Sequence, residues 1–241
     1  MNVYDIIIEG KGKVELSDIL MDEENRCAIL QLINEYKYID EIKKYGLPVN
    51  NKILLHGSSG CGKTTTAKAI ANGLGKNLNI LNLSNVVQPK IGETSQNLKM
   101  VFDKVARENA VLFLDEFDQI GKMRGNDDRD VGEMRRLVNT LIQLIDYLPE
   151  KTLLIAATNQ VEILDKALIR RFQVVVKYDM PDKIALDAYY NRILSLMPEH
   201  LQQVKRKYDI SFAEAKDLAF TSVKKLLIEE LETKSQYEVT T

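Results

Sequence analysis

The sequence predicts an α/β fold: a parallel five-stranded sheet with helices on both faces, followed by a small all-helical domain. Three observations carry this reading. Short apolar runs alternate with segments of helical periodicity as far as Met180-Pro181, the periodicity is helical from there on, and a glycine-rich loop, Gly57 to Thr64, joins one apolar run to the helix after it. Apolar strands separated by crossover helices belong to parallel sheets, which are covered on both faces and read as near-continuous hydrophobic runs.

Residues 1–22 form a lead-in, in which the β-branched run Ile6 to Ile8 and the turn-forming Gly10-Lys-Gly12 read as irregular or hairpin-like. Residues 23–180 form the large α/β domain. It opens with a helix from Glu23, with Ile29, Leu32, Ile33 and Tyr36 on one face, ending near Gly46-Leu-Pro48. Strands are expected at Ile53–Leu55, Ile80–Leu83, Val111–Leu114, Leu153–Ala157 and Val174–Val176, with helices at Thr64–Leu74, Ser95–Arg107 and Glu133–Tyr147 between them. Residues 181–241 form the small domain, with helices expected at Ile184–Leu196, Glu199–Lys207, Ser211–Ala219 and Ser222–Glu232. The polar end, Lys234 to Thr241, is expected to fray.

The bulk numbers narrow the class. Apolar residues make up 45% and charged residues 28%, the balance of a globular protein rather than a disordered tail. A net charge of -2 argues against a general binder of the nucleic-acid backbone, which carries a basic excess. Cys27 and Cys61 lie far apart with no CxxC spacing, so neither a zinc site nor a disulfide framework is expected. No apolar run reaches the roughly 18 residues of a membrane span, and no export signal is visible, so a reducing, cytoplasmic setting is expected.

Gly57-Ser58-Ser59-Gly60-Cys61-Gly62-Lys63-Thr64 fits G-x-x-x-x-G-K-[ST], with Thr65 following, and lies between a strand and a helix start. Its glycines let the backbone curl so that N–H groups converge on phosphate oxygens, and the helix turns its positive end toward the same anion. Lys63 is expected to reach the β- and γ-phosphates of ATP and the Thr64 hydroxyl to hold Mg²⁺. A chance match in a chain of this length is on the order of one in a hundred. The same anion-attracting surroundings predict a lowered thiol pKa for Cys61, so that alkylation blocks nucleotide binding. Val111-Leu-Phe-Leu114 then delivers Asp115 and Glu116 at the carboxyl end of a strand, where ligands of open α/β sheets collect. Asp115 is expected to hold Mg²⁺ through its water shell and Glu116 to polarise the attacking water.

Further on come Leu153-Leu-Ile-Ala-Ala-Thr158-Asn159 and Leu164-Asp-Lys-Ala-Leu-Ile169-Arg170-Arg171-Phe172. Together with the loop and the acidic pair, they resemble the AAA+ family of ATPases, specifically its protein-remodelling branch, over about Leu16 to Leu231. The resemblance implies a P-loop sheet with a helical lid, and Asn159 as the sensor of the γ-phosphate and attacking water. It also implies that Arg170 and Arg171 complete the neighbouring subunit's site in a homo-oligomeric ring, with a hexamer expected. Lys90-Ile91-Gly92-Glu93 resembles the loop facing the pore of unfoldase rings, with Lys90 where the family has an aromatic. The charged stretch Gly121 to Asp130 reads as a second pore loop or an ordinary surface loop. In the lid, Phe220-Thr-Ser222-Val-Lys-Lys225 stands where the branch has a glycine-containing turn before its last helix, and no arginine matches a second sensor.

The leading function is Mg-dependent ATP hydrolysis driving the remodelling of a separate protein partner. The short sequence reads as a bare motor module. The alternative is a nucleic-acid-handling AAA+ protein, such as a helicase loader or transposition regulator, favoured by Lys90 and Lys205-Arg206-Lys207 and opposed by the near-neutral charge. A guanine-specific switch is set aside because the strand ends in Thr158-Asn159-Gln160-Val161, not an N-K-x-D reader. Intact Lys63, Asp115, Glu116 and Asn159 argue against a dead scaffold.

Overall fold

The computed structural model describes residues 7–10, 14–86, 91–122 and 128–239. Its sheet holds β1 (Ile8–Glu9), β2 (Lys52–Gly57), β3 (Leu78–Asn82), β4 (Val111–Asp115), β5 (Leu153–Thr158) and β6 (Val174–Tyr178), in the spatial order β1-β3-β4-β5-β2-β6. The five expected strands are all present and parallel. A sixth was not expected: β1 pairs antiparallel with β3, Ile8 opposite Ile80, so part of the lead-in belongs to the sheet. Two residues are too few to print an alternation that a sequence reading could detect.

Helix α1 (Glu23–Lys37) starts where the Asp22 carboxylate accepts from the Asn25 N–H at 2.7 Å. The short α2 (Ile39–Lys44) follows after Tyr38. Then come α3 (Lys63–Gly73), α4 (Leu83–Val86), α5 (Ile91–Glu108), α6 (Gln119–Lys122), α7 (Asp128–Asp146) and α8 (Lys166–Ile169). Side chains alternate across the strands. Leu54, Leu81, Leu112, Leu114, Leu154 and Ala156 pack with Val101, Phe102 and Val105 of α5 and with Leu137, Leu141 and Ile145 of α7. Their neighbours Ile53, Leu55, Phe113, Ile155 and Ala157 are also buried, which explains the unbroken apolar runs. α3 touches β3, β4 and β5 and buries Ala67 and Ile70.

The chain divides into two compact units: Met1–Gly57 with Lys63–Tyr178, and Ser58–Gly62 with Asp179–Thr241. The second unit holds α9 (Lys183–Leu194) and the long α10 (Phe212–Val239) around Leu186, Tyr190, Leu194, Leu201, Ile210, Ala215 and Ala219. Two expectations need correction here. Only Glu199–Leu201 of the expected helix Glu199–Lys207 turns, as a short 3-10 segment. The residues after it run irregularly along α9, where the Tyr190 hydroxyl donates to the Lys207 carbonyl at 3.1 Å and Arg206 pairs with Asp187 at 2.6 Å. The two expected last helices are one, and Phe220 to Lys225 lies inside α10 rather than in a turn. The Ser222 hydroxyl, a residue type that competes with helix elsewhere, donates to the Leu218 carbonyl at 2.9 Å and lets the helix continue.

Candidate functional site

The phosphate-loop sequence leaves β2 at Gly57 and enters α3 at Lys63. Gly57, Gly60 and Gly62 all have positive φ, at 121°, 72° and 108°. A Cβ on Gly57 would lie 2.1 Å from the Tyr178 carbonyl oxygen, and one on Gly60 would lie 2.6 Å from the Ser211 hydroxyl oxygen. The Gly60 carbonyl accepts from the Ala213 N–H at 3.1 Å. Ser58 is half-buried and Ser59 exposed. Lys63 is only 8% exposed, and its ammonium donates to the Gly57 carbonyl at 2.8 Å. Thr64 is half-buried and Thr65 exposed. Thr66 faces inward and accepts from the Tyr178 hydroxyl at 2.7 Å, a phenol that burial pushes up to about 12. The expectation for Cys61 changes: it is 2% exposed, its thiol donating to the Ser59 carbonyl at 3.5 Å and lying 3.9 Å from the Met180 sulfur. A thiol buried in this way is shielded from alkylating reagents.

Register brings the other residues to the same edge of the sheet. His56 is level with Thr158 and Asn82 with Asp115, so Gly57, Glu116 and Asn159 follow at the carboxyl ends of β2, β4 and β5. Burial raises the Asp115 carboxyl above the ordinary carboxylate range, while the Glu116 N–H, donating at 2.9 Å, and the Lys63 charge pull it back down. Glu116 turns the chain with φ 54°, a left-handed conformation rare for a side chain of this kind. Its carboxylate accepts from the Ser84 hydroxyl at the start of α4. Directly after the turn, the Phe117 N–H donates to the Ala157 carbonyl at 2.8 Å. Asp118, 2% exposed, accepts from the Thr158 hydroxyl at 3.1 Å and the Asn159 N–H at 3.4 Å.

Asn159 itself is exposed at the end of β5. Arg170, at the C-terminus of α8, is exposed, whereas the Arg171 guanidinium is occupied within its own chain, on Asp146 at 3.2 Å and on the Ala167 carbonyl at 2.8 Å. The Phe172 ring meets the Phe117 ring edge to face, centroids 5.7 Å apart, so the arginine segment packs on the turn that carries Glu116. Lys90 lies outside the described residues, and Ile91 and Gly92 open helix α5. Of the stretch from Gly121 to Asp130, the ends belong to α6 and α7 and residues 123–127 lie outside the described residues.

Ser84 and Asp118 were not singled out from the sequence. Asp118 left a signal, a third acid set between Phe117 and Ile120 in an apolar stretch. Ser84 left none, because a serine after a strand is ordinary. Among the described residues no three His, Cys, Asp or Glu cluster as a metal cage, and no helix is long and apolar enough to cross a membrane. A cation held by one hydroxyl, one carboxylate, phosphate oxygens and water suits Mg²⁺, which dehydrates reluctantly and rarely occupies an all-protein cage.

Known proteins place the sequence in a family. The family model for the ATPase family associated with various cellular activities (AAA) matches residues 53–180. An uncharacterized AAA family ATPase of Sinorhizobium fredii, y4kL, is 33% identical over 216 residues, which cover 88% of this chain and 65% of that protein. The ATP-dependent zinc metalloprotease FtsH of Helicobacter felis is 29% identical over 222 residues, 87% of this chain and 33% of the metalloprotease. A putative cell division cycle ATPase of Plasmodium falciparum is 35% identical over 170 residues, 68% of this chain and 14% of that ATPase. The chain thus spans less than two thirds of the length of each. With more than half of its residues inside the family model, this chain belongs to the AAA family of ATPases, which bind and hydrolyse ATP.

Proposed function

We propose that the chain works as a Mg-dependent ATPase in a homo-oligomeric ring and uses hydrolysis to remodel a separate protein partner. The exposed Arg170 is the observation that carries it. Lys63 is the cation of the chain's own loop, and a second cation on the γ-phosphate, worth about 10³ to 10⁵ in rate, has to be supplied. An exposed arginine on the C-terminal end of α8 suits a neighbour's nucleotide. Arg171 can join only by leaving Asp146. The similarity to FtsH, a protease named as ATP-dependent, supports a protein rather than a nucleic acid as the thing acted on.

In this reading Lys63 exchanges the Gly57 carbonyl for phosphate oxygens, while loop amides freed by the positive-φ glycines hold the rest of the triphosphate. Thr64 and Asp115 would hold Mg²⁺, which neutralises charge on the phosphates and answers the burial of Asp115. Glu116 exchanges Ser84 for the attacking water and takes its proton as general base, with Asn159 fixing the water's other side. Ile91 and Gly92, with Lys90 before them, remain the proposed contact to a threaded polypeptide.

ATPase turnover of the purified protein tests this. Lys63→Ala is expected to lose ATP affinity, and Glu116→Gln to bind ATP without turning it over. Added unfolded casein is expected to raise wild-type turnover, with no effect of single- or double-stranded DNA. Stimulation by nucleic acid, falling steeply with salt, would reject the remodelling reading in favour of the nucleic-acid-handling alternative.

A further inference from the structure

We propose that Asp118 is a positioning residue for hydrolysis: its buried carboxylate ties the strand end that presents Asn159 to the turn that presents Glu116. The inference rests on the ATPase reading above and assigns a task to an acid that reading leaves unused. The ladder between β4 and β5 reaches its last pair at Leu114 and Ala156. Beyond it the left-handed turn at Glu116 swings the chain out of strand geometry, and regular pairing cannot hold the two ends together. Three bonds replace it. The Phe117 N–H donates to the Ala157 carbonyl at 2.8 Å, and one oxygen of Asp118 accepts both the Thr158 hydroxyl at 3.1 Å and the Asn159 N–H at 3.4 Å. The Thr158 hydroxyl in turn accepts from the Gln160 N–H at 3.0 Å, so the linkage continues on both sides of Asn159.

The energetics favour a geometric role over a stabilising one. A carboxylate 2% exposed costs free energy to bury, and an apolar side chain of similar size would pack there at less cost. What a leucine cannot do is accept two hydrogen bonds from the residues that aim Asn159. A water caught between Glu116 and Asn159 is productive only if the two side chains hold their separation closely, and an error of about 1 Å can cost roughly a hundredfold in rate. Asp118 touches neither water nor phosphate in this account. It fixes the distance between the residues that do.

The test separates turnover from binding. Asp118→Ala is expected to lower kcat between about tenfold and a hundredfold, with ATP affinity held within about twofold of wild type. Thr158→Val, which keeps the shape and deletes the hydroxyl, is expected to lower kcat in the same sense, and Thr158→Ser to restore it to within about threefold. The Thr158 pair decides the matter even if Asp118→Ala fails to fold. Equal turnover in the Val and Ser variants would overturn the proposal, as would kcat and affinity falling in parallel in Asp118→Ala. Wild-type protein without turnover would remove the ATPase reading itself. Active wild type with an indifferent Asp118 or Thr158 removes only the positioning role.

Discussion

Gly57 shows how tightly single residues shape the loop. Its φ of 121° is open to glycine alone, and the Tyr178 carbonyl stands 2.1 Å from where a Cβ would be, so alanine there must displace backbone on the neighbouring strand. Gly75 offers the matched control. Its φ of 62° is also left-handed, but a Cβ there meets nothing within 4 Å. Gly75→Ala is expected to cost only the conformational penalty of about 1 kcal/mol, and Gly57→Ala at least about 3 kcal/mol together with ATP binding. Urea unfolding alongside nucleotide titration checks both, and equal costs at the two positions would contradict the clash. At this scale the sequence was informative wherever chemistry restricts the choice of residue. Only glycine, lysine and a hydroxyl satisfy the loop, and Asp115 and Glu116 stand out by ending an apolar run. The bonds from Ser84 and Asp118 were hidden because they join residues distant in sequence, 32 and 40 positions apart, through side chains common anywhere.

Among the elements, α10 is capped at its first turn. Ser211 and Glu214 cap each other: the Glu214 carboxylate accepts the Ser211 N–H and hydroxyl, both at 2.8 Å, and the Glu214 N–H donates back to the Ser211 oxygen at 3.3 Å. Ser211→Ala is expected to destabilise the helix by about 1 kcal/mol. The bond from the Ser211 N–H, foremost, holds the Glu214 carboxyl below its ordinary 4.5, so this contribution to stability is complete above pH 4.5 and disappears as pH falls through the lower folded-state value. Thermal unfolding by circular dichroism is therefore expected to separate wild type from Glu214→Ala at pH 7, with the two curves converging in stronger acid. A gap that widened on acidification would contradict the assigned sign. The same helix marks where pattern reading fell short. Thr221 and Ser222 look like a break because their hydroxyls compete with the backbone, and only the bond to Leu218 shows how the helix absorbs them. The large domain was easier to read, since strands buried on both faces print their apolar runs directly. β1 is half-hidden for the opposite reason, an edge strand of two residues with Ile8 61% exposed.

The molecule as a whole presents Arg170 and Arg171 unequally, and this makes the ring proposal testable in parts. Arg171 holds Asp146 and the Ala167 carbonyl, so removing it disturbs the chain that carries it, whereas the exposed Arg170 can be removed with little local cost. Arg170→Ala is accordingly expected to keep the wild-type Tm and ATP affinity and to lose turnover. Arg171→Ala is expected to lower the Tm as well. If sites are shared, a Glu116→Gln subunit can lend its Arg170 to an Arg170→Ala subunit whose Glu116 is intact. Random assembly of equal amounts then creates complete sites at roughly a quarter of the junctions of a closed, head-to-tail ring, and turnover should recover toward that fraction although each variant alone is inactive. Mixtures that remain as inactive as their components, at concentrations where the wild type is assembled and active, would show that Arg170 serves no neighbour and that each chain works alone.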